Sequence, residues 1–128
     1  MATSPAPEGT SRTRAFARIL FWTAGAFAFV MAVLPRPPMF PGEPSDKVQH
    51  IVAFLVLAAL GRWAYPKTRK RMLLLGLMAF GALIEIVQAI PQLHRDSDLL
   101  DWLADTGAAL AVFLVVAVWG YLHARKER

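Results

Sequence analysis

Three short polar clusters interrupt an otherwise apolar chain: Asp46, Lys47, Gln49 and His50; Glu85 and Gln88; and Asp98, Asp101 and Asp105 with Thr106 beside the last. Asp46 and His50 are four apart, Glu85 and Gln88 three apart, and the aspartates step by three and four, so each cluster falls on one helix face. Arg95 lies between the second and third clusters. One histidine among several carboxylates suits a hard or borderline cation such as Mg²⁺, Mn²⁺, Ca²⁺ or Zn²⁺. A tight ligand signature such as H-E-x-x-H is missing, so no residue is assigned to a metal. Lys47, His50 and Arg95 suit a phosphate or carboxylate, with Arg95 as a planar fork and Lys47 as a point charge. His50 and a buried carboxylate with separated pKa values also have the chemistry for acid–base hydrolysis. Neither Ser45 nor Ser97 lies in a nucleophile motif, and both read as helix caps. The plainest role is an interhelical clamp, Glu85 meeting Lys47 or His50, with Gln88 and Thr106 beside them.

The elements that must position these residues are four apolar stretches at 15–34, 48–65, 72–90 and 102–123. Each approaches the ~20 residues that a helix needs to cross ~30 Å of hydrocarbon. None shows a clear wet face, and 128 residues leave no room for four all-apolar core helices in a soluble fold. The reading is an all-α membrane protein, a four-transmembrane-helix bundle with both termini cytoplasmic. Residues 1–14 are small and polar and read as a flexible tail, and 124–128 as a basic cytoplasmic tail. The connection 35–47 holds five prolines, 66–71 is a basic turn, and 91–101 opens on Pro91 and ends in a capping run at Ser97. The first span exceeds the h-region of a cleaved signal peptide and reads as retained.

Orientation follows from charge. Of 14 Lys and Arg, 11 lie at the N-terminal side, the 66–71 turn and its flank, or the C-terminal tail. Only Arg36, Lys47 and Arg95 lie in the other two connections. This places both termini and the middle loop in the cytoplasm. All three polar clusters then converge in the outer half of the membrane, with Glu85 ~9 Å below the outer end of its helix. Carboxylates such as Glu85 and Asp105 are costly in hydrocarbon, so they face the bundle interior.

Composition agrees. Hydrophobic residues make up 56% of the chain, which excludes general disorder. The absence of cysteine excludes disulfides, thiolate metal sites and a cysteine nucleophile. The net charge of +5 is accounted for by topology signals beside anionic lipid, so no nucleic-acid partner is expected. Small residues Ala24, Ala28 and Ala32, Gly76, Ala79 and Gly81, and Gly107 and Ala111 are expected at helix contacts, most within the bundle and some in a homo-oligomer or with a membrane-protein partner. Trp22, Trp63, Trp102 and Trp119, with Tyr65 and Tyr121, fall mostly near span ends as an aromatic belt.

The polar pattern resembles the VanZ-like family of bacterial membrane proteins over about residues 45–115. Asp46-Lys47-Val48-Gln49-His50 through Phe54 is similar to its D-K-x-x-H-x-x-x-F element, Glu85 to Gln88 to its E-x-x-Q element, and Arg95, Asp101 and Asp105 to its R…D…N/D element. The chain departs from the pattern with Asp105 where Asn is frequent, His94 where Gly precedes Arg, and Gly107 one place early. The resemblance implies a small integral protein of the bacterial cytoplasmic membrane acting at the cell envelope, in a family named for a member associated with teicoplanin resistance. Together the readings lead to a lipid-binding expectation. A membrane lipid or lipid-linked headgroup is held by Asp46, Lys47, His50, Glu85, Gln88, Arg95, Asp101 and Asp105. A phosphate-ester hydrolase and a structural subunit are the alternatives, and whether a reaction is catalysed stays open.

Overall fold

Backbone hydrogen bonds must be satisfied internally wherever a chain crosses hydrocarbon, and a run of apolar residues meets that demand by helix formation. The computed structural model describes residues 8–36, 41–42 and 45–128. It contains four long helices: α1 (Glu8–Val33), α2 (Asp46–Ala64), α3 (Lys70–Gln88) and α4 (Leu99–Lys126). A short 3₁₀ turn, Pro91–Leu93, separates α3 from α4, and no strand occurs among the described residues. All four helices are long and apolar enough to cross a membrane, and the chain is a multi-pass membrane protein on that ground.

The helix ends shift some expectations. α1 begins at Glu8, so residues 8–14, which composition assigns to a tail, are helical. Residues 1–7, and residues 37–40 and 43–44 of the proline-rich connection, lie outside the described residues. α4 runs on through Lys126, taking most of the expected basic tail into its last turns. Basic side chains there suit the negative end of the helix dipole. Ser45 caps α2 as expected, accepting from the Val48 amide at 3.3 Å. At α4 the cap is Asp98 rather than Ser97, with its carboxylate accepting from the Leu100 amide at 2.9 Å.

α2 packs against α1 and α4, and α3 packs on α4 and more lightly on α2 and α1. The buried residues of α2 run His50, Phe54, Leu57, Ala58, Gly61 and Ala64, one stripe at steps of three and four. Those of α3 are Leu77, Gly81, Ile84, Glu85 and Gln88, and those of α4 are Asp101, Asp105, Ala108, Ala109 and Phe113. Each stripe is apolar along most of its length and polar at one end. That end is the start of α2, the finish of α3 and the start of α4, so the topology gathers the polar ends together.

Close approach falls at fewer positions than the small-residue pattern suggests. A Cβ on Gly81 would sit 3.2 Å from the Trp102 ring, 3.3 Å from Asp105 Oδ2 and 3.4 Å from Phe54, so glycine is what lets α3 meet α2 and α4 there. Gly61, where no contact was expected, receives Phe21 of α1, 3.1 Å from a built Cβ. Gly76 and Gly107 have open space beside them, and Ala79 and Ala111 are exposed. Trp102 departs from the aromatic belt: it is partly buried, and its indole N–H donates to the Met78 carbonyl at 2.9 Å, tying α4 to α3.

Candidate functional site

The polar ends meet around His50. Its Nδ1 lies 3.1 Å and 3.2 Å from the two carboxylate oxygens of Asp105, a contact between α2 and α4 across 55 positions of sequence. An ionised carboxylate only accepts, so opposite ionised Asp105 it is Nδ1 that carries a proton and donates. Asp105 is 1% exposed, and Gly81 leaves the space that its carboxylate fills. The pairing differs from the expected clamp, in which Glu85 was to meet His50 or Lys47.

Glu85 instead binds the segment leading into α4. Its Oε2 accepts from Ser97 Oγ at 3.1 Å and from the Asp98 amide at 2.8 Å. Ser97, read from sequence as a cap, serves as a donor to this carboxylate. Glu85 is 8% exposed, and its Oε1 is buried with no hydrogen-bond partner among the described residues. Gln88, also buried, donates through Nε2 to the Ala32 carbonyl at 2.9 Å and so joins α3 to α1, while its Oε1 is likewise without a partner. Thr106 Oγ1 is a third such atom. Three unsatisfied buried oxygens at one end of a small bundle represent unused acceptor capacity, because each costs roughly 1–3 kcal/mol when left bare.

The rim carries the remaining candidates. Lys47 Nζ lies 3.6 Å from Asp101 Oδ1 and 3.9 Å from Asp98 Oδ2, with its side chain about half exposed. Arg95 reaches Asp46 at 3.8 Å from the 3₁₀ side of the site. His94 precedes it in the left-handed region at φ 50°, its Nδ1 3.0 Å from the Gln92 carbonyl. All eight sequence candidates therefore lie at one end of the bundle, six of them in three pairs: His50 with Asp105, Lys47 with Asp101, and Arg95 with Asp46. Glu85 and Gln88 are buried beside them.

A groove of about 390 Å³ runs from this end between α1 and α2. Ala24, Ala28, Ala32, Phe54 and Leu57 are among its apolar walls, and Asp46, His50 and Arg95 stand at its polar end. The alanines spaced by four, read from sequence as a packing stripe, line this groove; their small side chains leave a trough along α1. No family model matches the chain, and no curated protein or solved structure matches it either.

Proposed function

We propose that the protein is a VanZ-like component of the bacterial cytoplasmic membrane that binds a lipid or lipid-linked headgroup at its polar end. That end faces outward, with both termini cytoplasmic, in keeping with the Lys and Arg distribution. The single observation carrying the reading is the groove between α1 and α2, apolar along its length and charged at its mouth. An amphiphile matches that profile: an acyl chain lies against the alanine trough, and a phosphate meets Arg95. His94 supports the family resemblance in a specific way. It stands where the family pattern has glycine and adopts the left-handed conformation that glycine adopts freely.

Native mass spectrometry of the protein released from its own membrane tests the reading. A one-to-one adduct of phospholipid or lipid-linked mass is expected on the parent. Ala28→Trp, which fills the trough, and Arg95→Gln, which removes the fork, should each abolish it. An adduct retained in both variants, or a folded parent with none, overturns the proposal.

One observation favours hydrolysis as the second reading. Asp105 fixes the orientation of the His50 ring through Nδ1, an arrangement that a general base uses. Turnover of a phosphate-ester lipid analogue lost in His50→Gln would establish it.

A further inference from the structure

The charges at the polar end do not balance. Facing it are Asp46, Lys47 and His50 from α2, Glu85 from α3, Arg95 from the connection, and Asp98, Asp101 and Asp105 from α4. Arg95 is occupied with exposed Asp46, and half-exposed Lys47 is shared between Asp98 and Asp101. Glu85, Asp101 and Asp105 are all buried, and among the described residues paired with them inside the bundle the further cationic capacity is His50. Three buried carboxylates sharing so few cationic partners are costly in a low-dielectric interior, and coordination of a metal is one way to stabilise them.

Geometry supplies the rest. A ring nitrogen of His50 and carboxylate oxygens of Glu85 and Asp101 all lie within 4.8 Å of one another, and all three residues are buried. Ligands of one ion at bonds of about 2.0–2.2 Å stand about 3–4.4 Å apart, so small side-chain adjustments bring these three into a shared shell. The independent pointer is Glu85 Oε1, buried and without a hydrogen-bond partner among the described residues, on a carboxylate whose other oxygen is already fixed by Ser97 and Asp98. With Nδ1 of His50 held by Asp105, Nε2 is the ring nitrogen that would ligate, and a carboxylate–histidine–metal order would set ring tautomer and orientation.

We infer that His50, Glu85 and Asp101 form a site for a divalent cation of Zn²⁺ or Mn²⁺ type, with Asp105 as the positioning residue behind His50. One nitrogen with two carboxylates is a borderline donor set, which suits those ions better than a soft metal. Three protein ligands leave further positions open for water or an anionic oxygen. The inference goes beyond headgroup binding and does not depend on it.

The test is Mn²⁺ binding to the delipidated full chain in a neutral, phosphate-free detergent, read as loss of the free-ion electron paramagnetic resonance signal, with Zn²⁺ as competitor. One ion per chain is expected, displaced by Zn²⁺. Glu85→Gln and Asp101→Asn, each checked for an intact helical melt, should weaken binding at least tenfold. Asp105→Asn should weaken it less and change the hyperfine pattern of the bound ion. Lys47→Met, which removes the cation competing for Asp101, should tighten binding. If either ligand variant fails to fold, Lys47→Met decides, because tightening there requires an ion beside Asp101. A folded parent that binds neither ion at millimolar concentration overturns the inference, as does unchanged binding in the folded ligand variants or in Lys47→Met. Because lipid is absent throughout, failure here leaves the headgroup reading standing, and loss of the lipid adduct leaves this site standing.

Discussion

The two ends of the bundle handle polar residues in opposite ways. At the end joining α2 to α3, Arg18 Nε donates to the Ala64 carbonyl at 3.3 Å and its guanidinium lies 5.2 Å from the Tyr65 ring centroid. Trp22 donates to the Tyr65 hydroxyl at 2.8 Å, and Arg62 donates to the Pro66 carbonyl. Each of these three side chains finds a backbone or aromatic partner near the surface, so the interactions anchor helix ends at the membrane boundary. At the other end, carboxylates are drawn inside between three helices, and three buried oxygens have no hydrogen-bond partner among the described residues. Anchoring needs satisfied groups, and the bare acceptors at the opposite end are the feature on which the proposed site rests.

The comparison breaks most sharply at Asp105. Asp105→Ala leaves His50 buried without its partner and should cost about 3 kcal/mol, well above the ~0.6 kcal/mol average for interhelical hydrogen bonds in membranes. Unfolding in mixed micelles measures this, and a cycle with His50→Ala should give a coupling above about 1 kcal/mol. Additive effects would mean that the pair does not bind α2 to α4.

Gly81 follows. Its would-be Cβ meets Trp102 and Asp105, and both are held in place by hydrogen bonds to Met78 and His50. Gly81→Ala should therefore destabilise by about 1–2 kcal/mol, whereas Gly76→Ala and Gly107→Ala, in open space, should be neutral or stabilise by up to about 1 kcal/mol. Equal effects at all three positions would remove the special status of the polar end.

The smallest effect belongs to the anchoring end. Tyr65→Phe removes an acceptor from exposed Trp22 and should change stability by less than about 0.5 kcal/mol in the same assay. A loss as large as that of Gly81→Ala would show that the two ends are energetically alike.

These effects separate what sequence reveals from what it conceals. Four spans are legible because apolar runs of this length have few other outcomes. The three polar stripes are legible because residues at three- and four-residue steps share a helix face whatever the tertiary arrangement. The partners are not. His50 meets Asp105 and Glu85 meets Ser97 and Asp98 because of how α2, α3 and α4 are rotated and crossed, and that depends on contacts such as Gly81 against Trp102. Asp98 displaces Ser97 as cap for a related reason: Glu85, twelve positions away from Ser97, engages the hydroxyl. Local pattern defines faces, and long-range packing decides which faces meet. The groove is a further case, since alanines spaced by four describe a contact and a trough equally well until the neighbouring helix is placed.

The walls of that groove carry one more consequence. Phe27, Val52 and Val56 line it and are also exposed on the outer surface of the bundle, so it opens sideways between α1 and α2 onto the surface that lipid covers. A molecule reaching it that way never passes through water. Its occupancy is set by mole fraction within the bilayer rather than by molarity in the surrounding buffer, and its arrival is two-dimensional diffusion, insensitive to bulk dilution. Diluting a bilayer suspension tenfold at constant lipid-to-protein ratio would leave such a groove as full as before.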